Sequence, residues 1–261
     1  MIYVNTEKIN KFKKIGNDYY VIADFDHTLT TSKSTASMGI IPKFLGGECL
    51  KQRLALYEHY RPLELDYSIE EKEKQKIMKE WATKSFTLLS KFIKSKEMIK
   101  DSLKEANLCL KDGTKEFLKE MYEKDIPVII MSAGVGNIIE EFLKENNCLY
   151  KNIYIVSNFF EFSDGKVYLD INNIIATSNK EYSRIPKEVQ DKIKDRKGSL
   201  LLGDLIEDLK MQKKENLEKT LTIGFLDENI EDGLERYNKN FDIVLTNNSN
   251  FNDINNVFNI N

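Results

Sequence analysis

Two carboxylates one residue apart, Asp24 and Asp26, stand at the end of the run Tyr19-Tyr20-Val21-Ile22-Ala23. A short aromatic and β-branched run bounded by polar sequence reads as a buried strand. On extended backbone, residues i and i+2 point to the same side, so both carboxylates can face one ligand. Held that close they repel, and one pKa rises unless a cation intervenes. The pair therefore suits acid/base chemistry or a divalent metal. A strand-end Asp that caps the next turn, with a solvated neighbour, gives the same pattern. What else reaches the pair decides between them.

Two further apolar runs and one polar loop carry residues of chemical interest. In open parallel sheets, ligands collect beyond the carboxyl ends of the strands. After Pro127-Val128-Ile129-Ile130-Met131 come Ser132, Ala133 and Gly134, a hydroxyl and small residues leading into a helix. Backbone N–H groups there make a phosphate seat, or else a plain strand-to-helix turn. After Ser199-Leu200-Leu201-Leu202 come Gly203 and Asp204, with Asp208 one helical turn further. Such acids hold a hard cation through oxygen, or cap a helix. Lys180 follows Ser178-Asn179 in a polar loop, where it either neutralises a phosphate or is ordinary surface.

The elements that must position these residues fall into two textures. From Thr31 to Asn107 there is helix-period sequence and no convincing strand. Cys49 to Tyr60 reads as a helix ended before Pro62, and Glu70 to Ile93 as a long amphipathic one. From Asp112 onward helices alternate with buried strands at 127–131, 153–156, 199–202, 221–225 and 241–245, with a tight hairpin turn at Asp164-Gly165. The Asn-rich stretch 247–261 reads as a polar turn plus a short helix. The expected fold is α/β, a Rossmann-like parallel sheet with helices on both faces. Its core comprises residues 1–30 and 108–261, and residues 31–107 form a small helical cap inserted after the first motif.

Composition narrows the function classes. The chain has 261 residues and a formal net charge of -3, with no basic excess of the kind that nucleic-acid polymers require. No apolar run is long enough to span a bilayer, and the N-terminus lacks a signal-peptide core. Cys49, Cys109 and Cys148 are far apart and form no Cys-X-X-Cys, so neither a disulfide framework nor a zinc cluster is expected. A cytoplasmic protein is the expectation.

The order strand-Asp-X-Asp-X-Thr, strand-Ser, Lys, strand-Gly-Asp-X3-Asp resembles the four motifs of the haloacid-dehalogenase-like phosphohydrolases. Within that superfamily, Tyr57 to Asp66 is similar to the Tyr-Tyr-X-Ile-Glu-X-Asp segment of the type III cytosolic, or pyrimidine, 5′-nucleotidases. Met78-Lys79-Glu80-Trp81-Ala82-Thr83-Lys84 resembles their cap helix, and Val156-Ser157-Asn158-Phe159, Asn179-Lys180 and Gly224-Phe225-Leu226 extend the likeness from about Tyr19 almost to the C-terminus.

The resemblance implies a Mg2+-dependent phosphomonoester hydrolase acting on nucleoside 5′-monophosphates. Asp24 would be the nucleophile and Asp26 the acid and base. Asp24, the carbonyl of Asp26 and Asp204 would hold Mg2+, with Asp208 behind them orienting Lys180 or a metal-bound water. Ser132, Ala133, Gly134 and Lys180 would bind the phosphoryl group, and Glu64 would contact the base. Trp81 is expected in the core. The chain departs from the family in three places. Leu205 and Glu207 replace a serine and a glycine, and Glu207 adds a negative charge near the metal unless it points to solvent. Ala82 stands where the animal enzymes carry an aromatic that stacks on the base. Ser34 to Gly47 fails to match the family's Cys-His-Asn segment. The competing readings are a phosphatase of the same superfamily with another small substrate, and a phosphoester-binding protein that has lost turnover.

Overall fold

The computed structural model describes residues 3–246 and 249–258. The chain opens with β1 (Tyr3–Val4) and α1 (Thr6–Lys13), then β2 (Tyr19–Ala23). Four helices follow without a strand between them: α2 (Ser37–Leu45), α3 (Gly47–Leu65), α4 (Glu71–Phe92) and α5 (Lys96–Lys104). Helices and strands then alternate through α6 (Thr114–Glu123), β3 (Val128–Val135), α7 (Gly136–Glu145) and β4 (Ile153–Asn158). A hairpin of β5 (Glu161–Ser163) and β6 (Lys166–Tyr168) turns at Asp164 and Gly165, both at positive φ as a two-residue primed turn requires. The chain closes with α8 (Lys187–Ile193), β7 (Gly198–Gly203), β8 (Thr220–Leu226), α9 (Ile230–Asn240), β9 (Ile243–Thr246) and α10 (Phe251–Phe258). The expected terminal helix is thus present, while positions 247–248 and 259–261 of that reading lie outside the described residues.

The sheet runs β1-β9-β8-β7-β2-β3-β4, with β1 antiparallel at the edge and the other six strands parallel. The two-residue period of the strands loads both faces. Val21, Ala23, Val128, Ile130, Leu200 and Leu202 pack on one side beneath α1, α6, α7 and α10. Tyr20, Ile22, Ile129, Met131 and Leu201 pack on the other, beneath α8 and α9. This is the expected doubly covered α/β sheet. The edge elements β1 and α1 carry no strong apolar signal and were not expected; tertiary contacts hold them. Asn5 caps α1 by accepting the Lys8 N–H at 3.1 Å, and Lys8 pairs with Asp242 at 2.8 Å.

The inserted segment leaves and returns beside itself, since the Thr31 N–H donates to the Cys109 carbonyl and the Lys111 N–H to that of Leu29. Ile40, Ile41, Phe86, Leu89 and Ile99 of this segment belong to the same apolar cluster as the sheet, whereas α3 and the first half of α4 project beyond it. Helix α3 does not stop before Pro62. It runs one turn further, because Tyr60 and Glu64, four residues apart on one face, are both buried and Arg61 pairs with Glu64. So close to the helix end, the N–H that Pro62 lacks costs a single hydrogen bond.

Asp242 ties the N-terminal elements to the sheet. Its carboxylate accepts the Thr222 N–H at 3.0 Å and the Thr222 hydroxyl at 2.8 Å, besides the contact with Lys8. Asp242→Ala strands these donors, and a loss of about 2 kcal/mol or more is expected. A urea midpoint within error of the unaltered chain would refute that anchoring role.

Candidate active site

Strand β2 is where the sheet order reverses: the chain proceeds outward through β3 and β4, then returns to the other side of β2 for β7, β8 and β9. Such a switch point leaves a crevice beyond the strand ends. Register carries the candidate residues into it. Ala23 lies opposite both Ile130 and Leu202, so Asp24 comes level with the residues that precede Ser132 and Asp204. The Asp24 N–H still bonds the Leu202 carbonyl at 3.0 Å, and the chain then breaks away. His27 takes φ 63°, in the left-handed region, and its N–H is held by the Thr30 hydroxyl at 2.9 Å.

Ser132, Ala133 and Gly134 do not form a turn into a helix. They belong to β3, within a register shift between Met131 and Val135 that bulges them out of the sheet. The Ser132 hydroxyl accepts the Gly134 N–H at 3.0 Å, which leaves its own O–H free to donate. Asn158 staples the bulge to the next loop. Its amide donates to the Ala133 carbonyl at 3.1 Å and the Ile175 carbonyl at 2.9 Å, and accepts the Ile175 N–H at 2.8 Å. Asn179 accepts the Ala176 N–H at 2.8 Å in the same loop, and Lys180 follows it.

Lys180 is 2 % exposed. Its ammonium donates to Asp24 Oδ1 at 2.7 Å and pairs with Asp208. Asp208 lies on a 3-10 turn, Ile206–Met211, rather than an α-helix. Its Oδ2 accepts the N–H groups of Asp204 at 3.1 Å and Leu205 at 3.0 Å. Gly203 permits this approach, because a methyl there would overlap the Asp208 carboxylate. The Tyr237 hydroxyl donates to the Asp204 carbonyl. Glu207 turns away to pair with Lys74 of α4 at 3.1 Å, so the charge it was expected to add to the cluster is met elsewhere.

Oxygens of Asp24, Asp204 and Asp208 come within 4.8 Å of one another. Burial pushes the Asp208 carboxyl up to about 6, with Lys180 pulling it down and Asp24 adding to the rise. Burial also raises Asp24 against the pull of Lys180, and burial, Asp24 and Asp208 together raise Asp204 well above the usual range. For Lys180, burial works downward, yet Asp208, Asp24 and Asp204 outweigh it and hold the ammonium above its ordinary value. Three carboxylates facing one ammonium leave negative charge in a desolvated place. All-oxygen donors with that surplus fit a hard divalent cation.

Asp24, Asp26, Ser132, Ala133, Gly134, Lys180, Asp204 and Glu64 line one cavity of about 460 Å³. Asp208 stands behind it. Glu64 is buried and paired with Arg61, whose other terminal nitrogen reaches Glu228 at 2.9 Å. Trp81 is half-buried in the cavity wall, contrary to its expected place in the core; it stacks on Tyr60 at 5.8 Å. Three residues escaped the sequence reading. Ser37, the first residue of α2, holds both oxygens of Asp26, through its N–H at 2.8 Å and its hydroxyl at 2.7 Å. Arg53 lines the cavity from α3. Asn158 stood in a quoted motif, but nothing in the sequence told of its three partners.

A family model described as pyrimidine 5′-nucleotidase (UMPH-1) matches residues 5–260. The chain belongs to the pyrimidine 5′-nucleotidase family. It is a phosphoric monoester hydrolase of the 5′-nucleotidase type. A human 7-methylguanosine phosphate-specific 5′-nucleotidase is 35% identical over 250 residues, covering 92% of this chain and 83% of its own. The Drosophila melanogaster protein of that name is 32% identical, covering 86% of this chain and 74% of its own. A solved structure of cytosolic 5′-nucleotidase IIIB bound to cytidine superposes with a TM-score of 0.85 at 29% identity, covering 97% of this chain and 89% of that one. Phosphoserine phosphatase, at 16% identity and a TM-score of 0.57, shares the fold.

The sheet places the Ser132–Gly134 bulge and the loop that carries Lys180 next to each other, and Asn158 joins them. Asn158→Ala removes partners from both, and a loss of about 2 kcal/mol or more is expected in urea unfolding. Unchanged stability would mean that the loops hold their positions without it.

Proposed function

We propose that the chain is a Mg2+-dependent 5′-nucleotidase that hydrolyses nucleoside 5′-monophosphates, pyrimidine ones first, through an aspartyl-phosphate on Asp24. The observation that carries this reading is the convergence of Asp24, Ser132, Lys180 and Asp204 on one cavity with a buried excess of carboxylate. Asp24 and Asp204, with the backbone carbonyl of Asp26, would hold Mg2+. Bound there, it keeps Asp24 ionised beside a phosphate dianion and draws charge from the phosphoryl oxygens.

The remaining steps belong to the protein. A carboxylate oxygen of Asp24 attacks phosphorus while the bond to the nucleoside 5′-oxygen breaks. Asp26, oriented by Ser37, gives its proton to the departing oxygen. It then takes one from the water that cleaves the aspartyl-phosphate and returns Asp24 to its starting form. The Ser132 hydroxyl, the Ala133 N–H and the Lys180 ammonium receive the negative charge of the transferring phosphoryl group, while the Gly134 N–H, already given to the Ser132 hydroxyl, orients that hydroxyl. Asp208 keeps Lys180 in place.

Residues 31–107 act as the cap that chooses the substrate. Glu64, fixed in orientation by Arg61, accepts a hydrogen bond from an exocyclic amino group such as that of cytosine. The cytidine in the structure of the IIIB relative supports a pyrimidine substrate. The names of the human and fly relatives support a second reading, 7-methylguanosine monophosphate. The word cytosolic in one relative's name supports a cytoplasmic setting, and we take the working unit to be a monomer.

With Mg2+, purified protein is expected to release phosphate from cytidine and uridine monophosphates. Asp24→Asn should keep the fold and lose turnover on the order of a thousandfold or more. Hydrolysis retained by that variant would sink the covalent mechanism. Release from 7-methylguanosine monophosphate alone would transfer the assignment to the second reading.

A further inference from the structure

Arg53 buries a guanidinium that leaves two of its nitrogens unpaired among the described residues. The residue is 8% exposed, in the wall of the cavity that contains Asp24. Among the described residues, its Nε and Nη1 have no hydrogen-bond partner. The guanidinium carbon lies 5.4 Å from the centre of the Tyr57 ring and 5.8 Å from that of Trp81. Those rings attract the charge, but their faces offer no lone pairs to in-plane N–H groups. Unmet donors on a buried cation are costly unless a partner arrives. Burial lowers the Arg53 pKa, against the opposing influence of Tyr57, Glu64 and Asp26.

The neighbourhood says what that partner would be. Glu64, an acceptor, lines the same cavity and is already engaged by Arg61. Ala82 contributes a single methyl to the wall beside Trp81. The cavity therefore offers Arg53 as a cationic donor and Glu64 as an acceptor, next to the Tyr57 and Trp81 rings. Cytosine matches that couple, because its O2 and N3 accept while its 4-amino group donates. A 7-methylguanine ring matches it less well, although its O6 still accepts and its 2-amino group still donates. Methylation at N7 removes one of the two guanine acceptors that an arginine pairs with, and it places a positive charge on the ring. Two like charges in a desolvated cavity repel strongly.

We propose that Arg53 is a specificity-determining residue whose unpaired N–H groups bind the acceptors of a neutral nucleobase, cytosine first, and exclude the cationic 7-methylguanine. The inference rests on the nucleoside-monophosphate reading above and deepens it. The test is kcat/KM for cytidine and 7-methylguanosine monophosphates with the unaltered chain, Arg53→Met and Arg53→Lys, each with p-nitrophenyl phosphate as a base-free reference. The unaltered chain should prefer the cytidine nucleotide by about tenfold or more, the scale of one well-placed base contact. Arg53→Met should reduce that ratio about tenfold or more, and Arg53→Lys, which keeps the charge, should retain it. A purely structural role lowers both substrates together and leaves the ratio alone. Equal use of both nucleotides by the unaltered chain, which needs no variant to measure, overturns the proposal. So does an unmoved ratio in folded Arg53→Met. Turnover of p-nitrophenyl phosphate with neither nucleotide hydrolysed is a different result, and it removes the nucleotidase reading underneath.

Discussion

Negative charge buried at the reversal point of the sheet is the constraint to which the rest of this structure answers. Asp24, Asp204 and Asp208 bring carboxylate oxygens within 4.8 Å of one another, and the Lys180 ammonium is in contact with two of them. Such a cluster is unfavourable in a desolvated place unless its members are paired and hydrogen-bonded. The chain supplies what pairing it can. Lys180 bridges Asp24 and Asp208, and backbone N–H groups of Asp204 and Leu205 satisfy Asp208. The surplus that remains is the property that the proposed cation and phosphate ester would use together.

Long-range contacts make the arrangement hold. Gly203 lets the Asp208 carboxylate approach the strand, Asn158 fastens the Ser132–Gly134 bulge to the loop that carries Lys180, and Ser37 brings α2 onto Asp26. Glu207 is drawn off to Lys74. The departure from the family pattern at that position therefore extends the tie between α4 and the 3-10 turn after β7, and leaves the carboxylate cluster as it was. Even the edge strand contributes, through Asp242, to a sheet whose centre must stay in register for Asp24 to meet Asp204.

Much of this was legible in the sequence because it depends on local signals in a fixed order. Apolar runs of strand length marked every central strand, and the residues just past three of them, Asp24, Ser132 and Asp204 among them, line the cavity. Other features depend on contacts that no local pattern encodes. The bulge at Ser132 to Gly134 is a matter of register with β4, which a run of apolar residues followed by small ones cannot express. Pro62 reads as a helix stop, yet burial of Tyr60 and Glu64 carries α3 past it. Trp81 on an amphipathic helix looks like core; its exposure to the cavity follows from where α3 lies. Ser37 and Arg53 are unremarkable as letters, and their meaning comes from partners, or the lack of them, far away in the chain.

The central claim is that the buried carboxylates are a cation site, and calorimetric titration of Mg2+ into metal-free protein tests it most directly. A single-site isotherm is predicted for the unaltered chain, with thermal unfolding shifted upward by saturating Mg2+ and both effects lost in Asp204→Asn. Absence of binding by the unaltered chain, or equal binding by Asp204→Asn, would contradict it.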